Sequence, residues 1–142
     1  MRYEGSNEVY KNMMPLVVCA TVLIEKSPQA IPLGAACIAS AIKNDARTAG
    51  KCSVVLTSVT AEDAEFSAAE KDGRCGVYIA EKILSFGKPS VACLSVYVWN
   101  RKILLLAALE LKKKYPEIIC IAGGPEITAN PFGCKEFDYT VA

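Results

Sequence analysis

The feature that most constrains this fold is a nearly unbroken apolar run over residues 16–24, which is rich in β-branched side chains. A strand with one face in water alternates apolar and polar residues, whereas an apolar run without alternation is typical of a strand covered on both faces. The run is also too short to cross a bilayer as a helix. It therefore predicts the first strand of a parallel sheet, in a domain that starts near Pro15.

Similar apolar runs recur along the chain and alternate with helix-like segments. Such an order forms a parallel sheet through right-handed crossovers, and 142 residues give room for one ordinary domain. We therefore predict an α/β fold with a doubly wound open parallel sheet of about five strands, flavodoxin-like or Rossmann-like, in the order 2-1-3-4-5. The predicted strands cover residues 16–24, 52–59, 90–98, 118–122 and 137–141.

Proline, glycine and capping residues mark the predicted helices. Pro32 stands where the first turn of a helix tolerates proline, and the small residues after it predict a helix that Gly50 closes. Thr60 and Asp63 resemble a capping box that opens a second helical region. That region is broken at residues 72–73 and resumed over 77–85, and further helices are predicted over 101–114 and 126–134.

The two ends of the chain differ in character. Residues 1–14 are mixed and polar without a period, which predicts a poorly ordered leader. Residues 15–142 form the predicted α/β domain. Its last strand is apolar and reaches the end of the sequence without a charged tail, so we expect more protein to follow the domain.

Charge and hydropathy exclude two classes of partner. The chain has 16 basic and 15 acidic residues and a net charge of +1, without a basic patch of the kind that binds nucleic acid. It also lacks an apolar run long enough for a membrane span. We predict a cytoplasmic protein that binds neither nucleic acid nor membrane.

The sequence contains seven cysteines and no histidine. The cysteines lie far apart, mostly inside apolar runs, and form neither a zinc-binding nor a CxxxCxxC cluster-binding spacing. They are predicted to be buried free thiols in a reducing compartment, with one disulfide left open as an alternative. Without histidine there are no imidazole ligands and no Ser-His or Cys-His pairs, which argues against most common hydrolase mechanisms. We assign no catalytic residue and no protein metal site from the sequence.

The third predicted strand carries the first candidate ligand contacts, since ligands of open α/β sheets bind beyond the carboxyl ends of the strands. Ser95, Tyr97 and Trp99 share one face by the two-residue period. Their polar tips on apolar bodies suit a large ring system that carries amides at its rim. Asn100 comes next, and it either joins the site or caps the following helix.

The fourth predicted strand carries the second group, Gly123, Gly124, Pro125 and Glu126. Adjacent glycines let a flat ligand or another backbone approach closely. An ordinary strand-to-helix turn explains one glycine and the proline equally well.

A stiff loop with Ile31 and Pro32 at its end follows the first strand. It has no G-x-G-x-x-G motif, and the chain has no G-x-x-x-x-G-K-[ST] motif, so the common nucleotide sites are excluded. A receiver domain is a poor match as well, because the first strand ends without an acidic pair and the third ends in aromatic residues. The sequence leaves a non-nucleotide ligand or none.

Three segments together carry a specific resemblance. They are Ile31-Pro-Leu-Gly34, Ser95-Val-Tyr-Val-Trp-Asn100 and, after a helix that ends in basic residues, Ile118-Ile-Cys-Ile-Ala-Gly-Gly-Pro-Glu-Ile-Thr128. The chain resembles the cobalamin-binding domain that precedes the catalytic barrel in cobalamin-dependent radical SAM enzymes. The resemblance extends from Pro15 to Val141, which is nearly the whole domain.

The resemblance implies that cobalamin lies across the carboxyl edge of the sheet. In related methionine synthase and mutase domains, a D-x-H-x-x-G motif after strand one supplies the histidine that binds cobalt. This chain has no histidine, so the resemblance implies base-off binding with the lower cobalt face left to water, a weak donor or an apolar side chain. It further implies a methyl carrier, because weak axial ligation makes the nucleophilic Co(I) state easier to reach. The implied contacts are Ser95, Tyr97, Trp99, Asn100, Gly123, Gly124, Pro125, Glu126, Ile31 and Pro32.

Complete members of this family have a following barrel that binds a four-iron (4Fe-4S) cluster through CxxxCxxC and uses S-adenosylmethionine. This chain lacks that motif, so the cluster and S-adenosylmethionine are expected only in a downstream radical SAM domain of the same polypeptide. The implied function is a cobalamin-binding module that is catalytically incomplete alone. Three alternatives stay open: a scaffold that has lost cobalamin, an interaction domain that docks a partner, and a small-molecule sensor.

Overall fold

A computed structural model of the chain describes residues 14–131 and 135–142. It contains a sheet of parallel strands in the order β2-β1-β3-β4-β5, which confirms the predicted doubly wound α/β fold. The strands are β1 (Leu16–Leu23), β2 (Ser53–Thr60), β3 (Val91–Ser95), β4 (Ile119–Gly123) and β5 (Tyr139–Val141). The helices are α1 (Leu33–Asn44), α2 (Ala64–Lys71), α3 (Cys75–Leu84), α4 (Arg101–Lys114) and α5 (Pro125–Ala129).

Strand β1 lies inside the sheet, as its unbroken apolar sequence predicts. Its residues between Leu16 and Leu23 are all buried. It pairs with β2 along its whole length, and with β3 from Val17 to Ala20. The residues after Ala20 therefore have no ladder partner on the β3 side, at the carboxyl edge of the sheet.

The two faces of the sheet are covered unequally. One face packs on α2, α3 and α4 through a large core whose members include Phe66, Ile83 and Leu111. On the other face a small core forms where α1 lies on β1, β2 and β3. Beyond α1, the side chains of Tyr139 and Val141 on this face are 62% and 60% exposed.

Strand β3 is shorter than predicted. The apolar and aromatic residues up to Val98 continue the strand pattern, but the strand ends at Ser95. The chain turns there because the N–H of Tyr97 donates to the carboxamide oxygen of Asn100, at 2.8 Å, instead of to a neighbouring strand. The predicted extension of β3 to residue 98 is therefore wrong.

Other helix and strand boundaries also differ from those predicted from the sequence. Helix α1 ends at Asn44 because Asp45 has an extended backbone, and a series of turns leads on to Gly50 at φ +72°. The proposed capping box is half formed: the Asp63 carboxylate accepts the N–H of Thr60 at 3.0 Å, and α2 begins after Asp63. Helix α5 is shorter than predicted, and β5 begins later, at Tyr139. The predicted leader over residues 1–13 and the predicted helix end at 134 lie outside the described residues.

The cysteines of the described segments are all free, and Cys134 lies outside them. Cys19 and Cys93 are register partners on β1 and β3, where the neighbouring Cys93 thiol and burial raise the pKa of Cys19. Burial raises the pKa of Cys120 to about 11.

Within residues 14–131 and 135–142, no helix is long and apolar enough to cross a membrane.

Candidate functional site

The carboxyl ends of β1 and β3 lie side by side, because the two strands are parallel neighbours. An open cleft of about 330 Å³ lies between the loops that follow them. This volume is at the low end for small-molecule sites, so the cleft suits part of a large ligand better than the whole of it. It is lined by Leu23, Ile24, Glu25, Gln29, Ala30, Ile31, Pro32, Tyr97 and Trp99.

The loop after β1 is held in shape by its own hydrogen bonds. The N–H of Ala30 donates to the carbonyl oxygen of Ser27 at 3.1 Å and to its hydroxyl at 3.2 Å. That hydroxyl donates to the carboxylate of Glu25 at 3.1 Å. The side chains of Ile24 and Ile31 nevertheless stay more than half exposed, so the loop presents apolar surface at the cleft.

Tyr97 and Trp99 form the opposite wall. Their rings are stacked, with centroids 4.6 Å apart and planes inclined by 12°. The indole N–H of Trp99 donates to the carbonyl oxygen of Val22 at 3.1 Å, while 45% of the residue stays exposed. The polar atom of the indole is therefore satisfied inside the protein, and part of its ring surface is open to an apolar partner. The two rings meet through the turn after β3, not through the strand alternation that the sequence predicted.

Ser95 and Tyr97 both approach α1 at Gly34. A Cβ atom on Gly34 would lie 3.0 Å from the Ser95 hydroxyl oxygen and 3.2 Å from the Tyr97 hydroxyl oxygen. Glycine at this position therefore gives both hydroxyls room against the first turn of the helix. From the sequence Gly34 is only part of a helix start, although a glycine in the first turn of a helix is a signal for a close approach.

Asn100 precedes α4, but its side chain does not cap that helix. The two hydrogens of its carboxamide nitrogen are shared among three acceptors: the carbonyl oxygens of Val22 and Ser95, at 3.1 and 3.2 Å, and the Thr21 hydroxyl, at 3.3 Å. Its oxygen accepts the N–H of Tyr97. Asn100 is fully buried, so it holds the ends of β1 and β3 together and contributes no surface to the cleft.

The glycine pair lies at the end of β4, beside β3 and outside the cleft lining. Gly124 has φ +109°, and a Cβ atom there would lie 2.6 Å from the carbonyl oxygen of Val96. That oxygen accepts the N–H of Glu126 at 3.3 Å, so the glycine lets two backbones meet. The Glu126 carboxylate lies 3.6 Å from the guanidinium of Arg101, which gives this cation at the start of α4 an anionic neighbour.

The structure thus separates the predicted contacts into three groups. Ile31, Pro32, Tyr97 and Trp99 surround one cleft. Ser95 and Asn100 lie beside and beneath it, and the segment from Gly123 to Glu126 occupies the adjoining strand end. Sequence reasoning missed several residues of the cleft and its support. In the loop after β1 the position of each residue depends on how the loop folds, and at the end of β1 and the start of α1 the residues look like ordinary parts of a strand and a helix. The missed residues are Thr21, Val22, Leu23, Ile24, Glu25, Gln29, Ala30 and Gly34.

The chemistry of the cleft is mostly apolar. Glu25 is the only carboxylate among its lining residues, and the hydroxyl of Tyr97 is turned toward α1. Within residues 14–131 and 135–142, acidic and cysteine side chains form no group that could hold a metal ion. The arrangement is suited to binding a large apolar surface and offers no nucleophile paired with a base.

A second cleft of about 350 Å³ lies between α3 and α4. Its lining includes the apolar Val77 and Leu84 and charged residues of both signs, among them Glu81 and Lys113. It lies between two helices and not at the strand ends, where open α/β sheets bind their ligands. The cleft beside Tyr97 and Trp99 is therefore the candidate site.

Comparison with known proteins finds a short similarity to a cobalamin-dependent enzyme. The chain is 39% identical over 44 residues to the cobalamin-dependent radical SAM methyltransferase TokK of Streptomyces tokunonensis. The matched stretch covers 31% of this chain and 6% of that relative. Models of protein families give no match to the chain.

Proposed function

We propose that this chain is a cobalamin-binding module. The observation that carries the proposal is the stacked pair of Tyr97 and Trp99 on an apolar cleft at the carboxyl edge of a doubly wound sheet. Two further observations support it: the sequence resemblance of the strand ends and the short similarity to a cobalamin-dependent enzyme. The proposal is specific to the edge formed by β1 and β3.

The cleft would hold part of a corrinoid, and its polarity suits that ligand. A corrin ring is broad and apolar with amide groups at its rim, which matches an open apolar cleft better than a closed pocket. The exposed part of the Trp99 ring offers contact area at a low cost in conformational entropy. Ile31 and Pro32 would contact the corrin ring from the β1 side. The Glu25 carboxylate would accept hydrogen bonds from the amide groups at the rim of the ring.

The absence of histidine from the sequence sets the binding mode that we propose. Four nitrogens of the corrin itself hold the cobalt, so the protein needs no set of metal ligands. Without an imidazole, the cofactor would bind base-off with water, a weak donor or an apolar side chain on its lower face. Bound cobalamin would supply a cobalt centre that carries a methyl group, while the residues described here bind and orient it.

We further propose that the module serves a radical SAM domain of the same polypeptide. In that arrangement the cluster and S-adenosylmethionine belong to the other domain, and this chain contributes the methyl carrier. The similarity to a radical SAM methyltransferase supports this part of the proposal.

A titration with hydroxocobalamin and methylcobalamin, followed by absorption spectra and calorimetry, tests the proposal. We expect a saturable one-to-one complex with a base-off spectrum. Trp99→Ala should weaken binding by about tenfold, because it removes an exposed aromatic surface. Phe86→Ala is the matched control, since Phe86 is 44% exposed and lies outside the cleft lining. Equal affinities of the two variants would exclude the cleft, and no binding by the unmodified chain would exclude the module.

The second candidate is an interaction domain that docks a protein through the same edge. The cleft-lining Ile24 and Ile31 are more than half exposed, and Val98, between the cleft-lining Tyr97 and Trp99 in sequence, is 74% exposed. These exposures favour this candidate, since exposed apolar surface marks contact sites. This function predicts association that depends on concentration and is abolished by Val98→Lys, together with no response to cobalamin. Sedimentation and the titration above distinguish the two candidates.

A further inference from the structure

We propose that Thr21 and Asn100 are positioning residues that fix the orientation of the Tyr97–Trp99 pair. This inference rests on the proposed function only for the ligand, because the orientation of the rings can be measured without one. Neither residue lines the cleft, and both are buried. Their role follows from the way the ends of β1 and β3 are joined.

The backbone ladder between β1 and β3 stops before the cleft. The last register pair joins Ala20 to Leu94, although β1 continues to Leu23. Parallel strands beyond their last ladder bond are free to diverge, since unpaired carbonyl groups gain nothing from staying together. Side chains replace the missing bonds here.

These replacements join the two strand ends directly. The hydroxyl of Thr21 donates to the carbonyl oxygen of Ser95 at 2.9 Å. The carboxamide nitrogen of Asn100 donates to that same oxygen and to the carbonyl oxygen of Val22. Because the carboxamide also donates to the Thr21 hydroxyl, the two side chains form one network and support one another.

The network also holds each ring-bearing residue. The backbone N–H of Tyr97 donates to the Asn100 carboxamide oxygen, which sets the start of the turn. The indole N–H of Trp99 donates to the carbonyl oxygen of Val22, at 3.1 Å, and Asn100 donates to this oxygen at the same distance. Loss of the network would therefore change the orientation of both rings, although Thr21 and Asn100 form no hydrogen bond with a ring atom.

The test uses the single tryptophan of the chain as a reporter, because Trp99 is the only residue of its kind. Selectively excited emission and its quenching by acrylamide report how open the indole is. Thr21→Val removes the hydroxyl with little change of shape, Thr21→Ser keeps it, and Asn100→Ala removes the carboxamide. Ser67→Ala is the control, because it removes another hydroxyl that donates to a carbonyl, that of Ala61, away from the cleft.

We expect Thr21→Val and Asn100→Ala to raise quenching by about twofold and to weaken hydroxocobalamin binding by about tenfold, with the fold intact by circular dichroism. Thr21→Ser should restore both properties, and Ser67→Ala should lower the stability to urea without changing either. The proposal is overturned if Thr21→Val and Ser67→Ala lose stability alike and leave the Trp99 signal unchanged. If Asn100→Ala does not fold, the pair Thr21→Val and Thr21→Ser decides. If the unmodified chain binds no cobalamin, the proposed function fails, whereas the Trp99 signal still decides the positioning role.

Discussion

The hydroxyl oxygen of Tyr97 lies 3.2 Å from the position that a Cβ atom would occupy on Gly34. This separation is shorter than ordinary van der Waals contact between such atoms, so the aromatic wall of the cleft depends on a missing side chain in α1. The turn after β3 packs closely on α1 at this point, and the packing can be tested by adding a single methyl group at Gly34.

Gly34→Ala should disturb the cleft more than the fold. The added methyl group forces Tyr97 or Ser95 to move by a few tenths of an ångström, while alanine stabilises a helix relative to glycine by about 1 kcal/mol. We therefore expect a stability to urea equal to or above that of the unmodified chain, with altered Trp99 emission and weaker cobalamin binding.

Ser40→Ala is the control for this substitution, because Ser40 is an exposed residue of the same helix. It should leave Trp99 emission and cobalamin affinity unchanged. Identical binding by the two variants would show that the Tyr97 hydroxyl does not set the shape of the cleft.

The two adjacent glycines at the end of β4 should respond differently to alanine. Gly124→Ala places a Cβ atom 2.6 Å from the Val96 carbonyl oxygen at a φ of +109°, so we expect a loss of about 3 kcal/mol in the free energy of unfolding. Gly123→Ala meets only the carbonyl oxygen and Cβ of Val141, at 3.4 and 3.9 Å, and should cost less than about 1 kcal/mol. Urea denaturation followed by circular dichroism measures both values.

This comparison also separates structure from ligand binding. If Gly123→Ala folds normally and keeps its affinity for cobalamin, Gly123 is not a contact residue for the cofactor. A small cost for Gly124→Ala would contradict the close backbone approach described here.

Helices α3 and α4 should be sensitive to a methyl group between them. A Cβ atom on Gly76 would lie 2.5 Å from the Cβ of Leu106 and 2.9 Å from its carbonyl carbon, which cannot move without shifting α4. We expect Gly76→Ala to destabilise the fold by about 3 kcal/mol. Gly73→Ala should cost only about 1 kcal/mol, because its φ of +68° is unfavourable for alanine but no atom lies within 4 Å. Thermal unfolding of both variants tests the difference, and equal melting temperatures would contradict it.

The connection between β4 and β5 should weaken in acid. Burial alone would raise the pKa of Asp138, but hydrogen bonds from Lys112, at 2.7 and 2.8 Å, and from the N–H of Cys120, at 2.7 Å, lower it overall. A carboxyl group whose pKa is lower in the folded state stabilises the fold above its unfolded pKa of 3.8, and this contribution disappears as the pH falls through the folded value.

Asp138→Asn should therefore reduce stability at neutral pH and flatten the loss of stability below pH 3.8. Denaturation in urea at a series of pH values measures the slope. Asp45→Asn is the control, because the pKa of Asp45 is also lowered, chiefly by Arg47, but the pair is local and joins no strands. A pH profile of Asp138→Asn parallel to that of the unmodified chain would contradict the assignment.

The strands could be predicted from the sequence because repeated apolar runs report burial directly, and their order could be predicted because it is the common one for an alternating β/α chain of this length. The end of β3 could not, since Val96 and Val98 continue the strand pattern and the turn depends on a hydrogen bond from the Tyr97 backbone to Asn100. Tyr97 and Trp99 were identified from their side chains and their place near a strand end. The loop residues between Leu23 and Ile31 were not, because a loop without a motif acquires its position only from the folded surroundings.

The hydrogen bond between Trp99 and Val22 joins residues that are 77 positions apart in the chain. Contacts that close loops of that length form slowly, and parallel sheets form late because each strand pairs with a segment that is distant in sequence. The wall of the cleft is therefore assembled only after β1, β3 and the start of α4 have come together. A chain still emerging from the ribosome would contain the residues of β1 well before those of the Tyr97–Trp99 wall, so occupation of the cleft would report that β1 and β3 have come together.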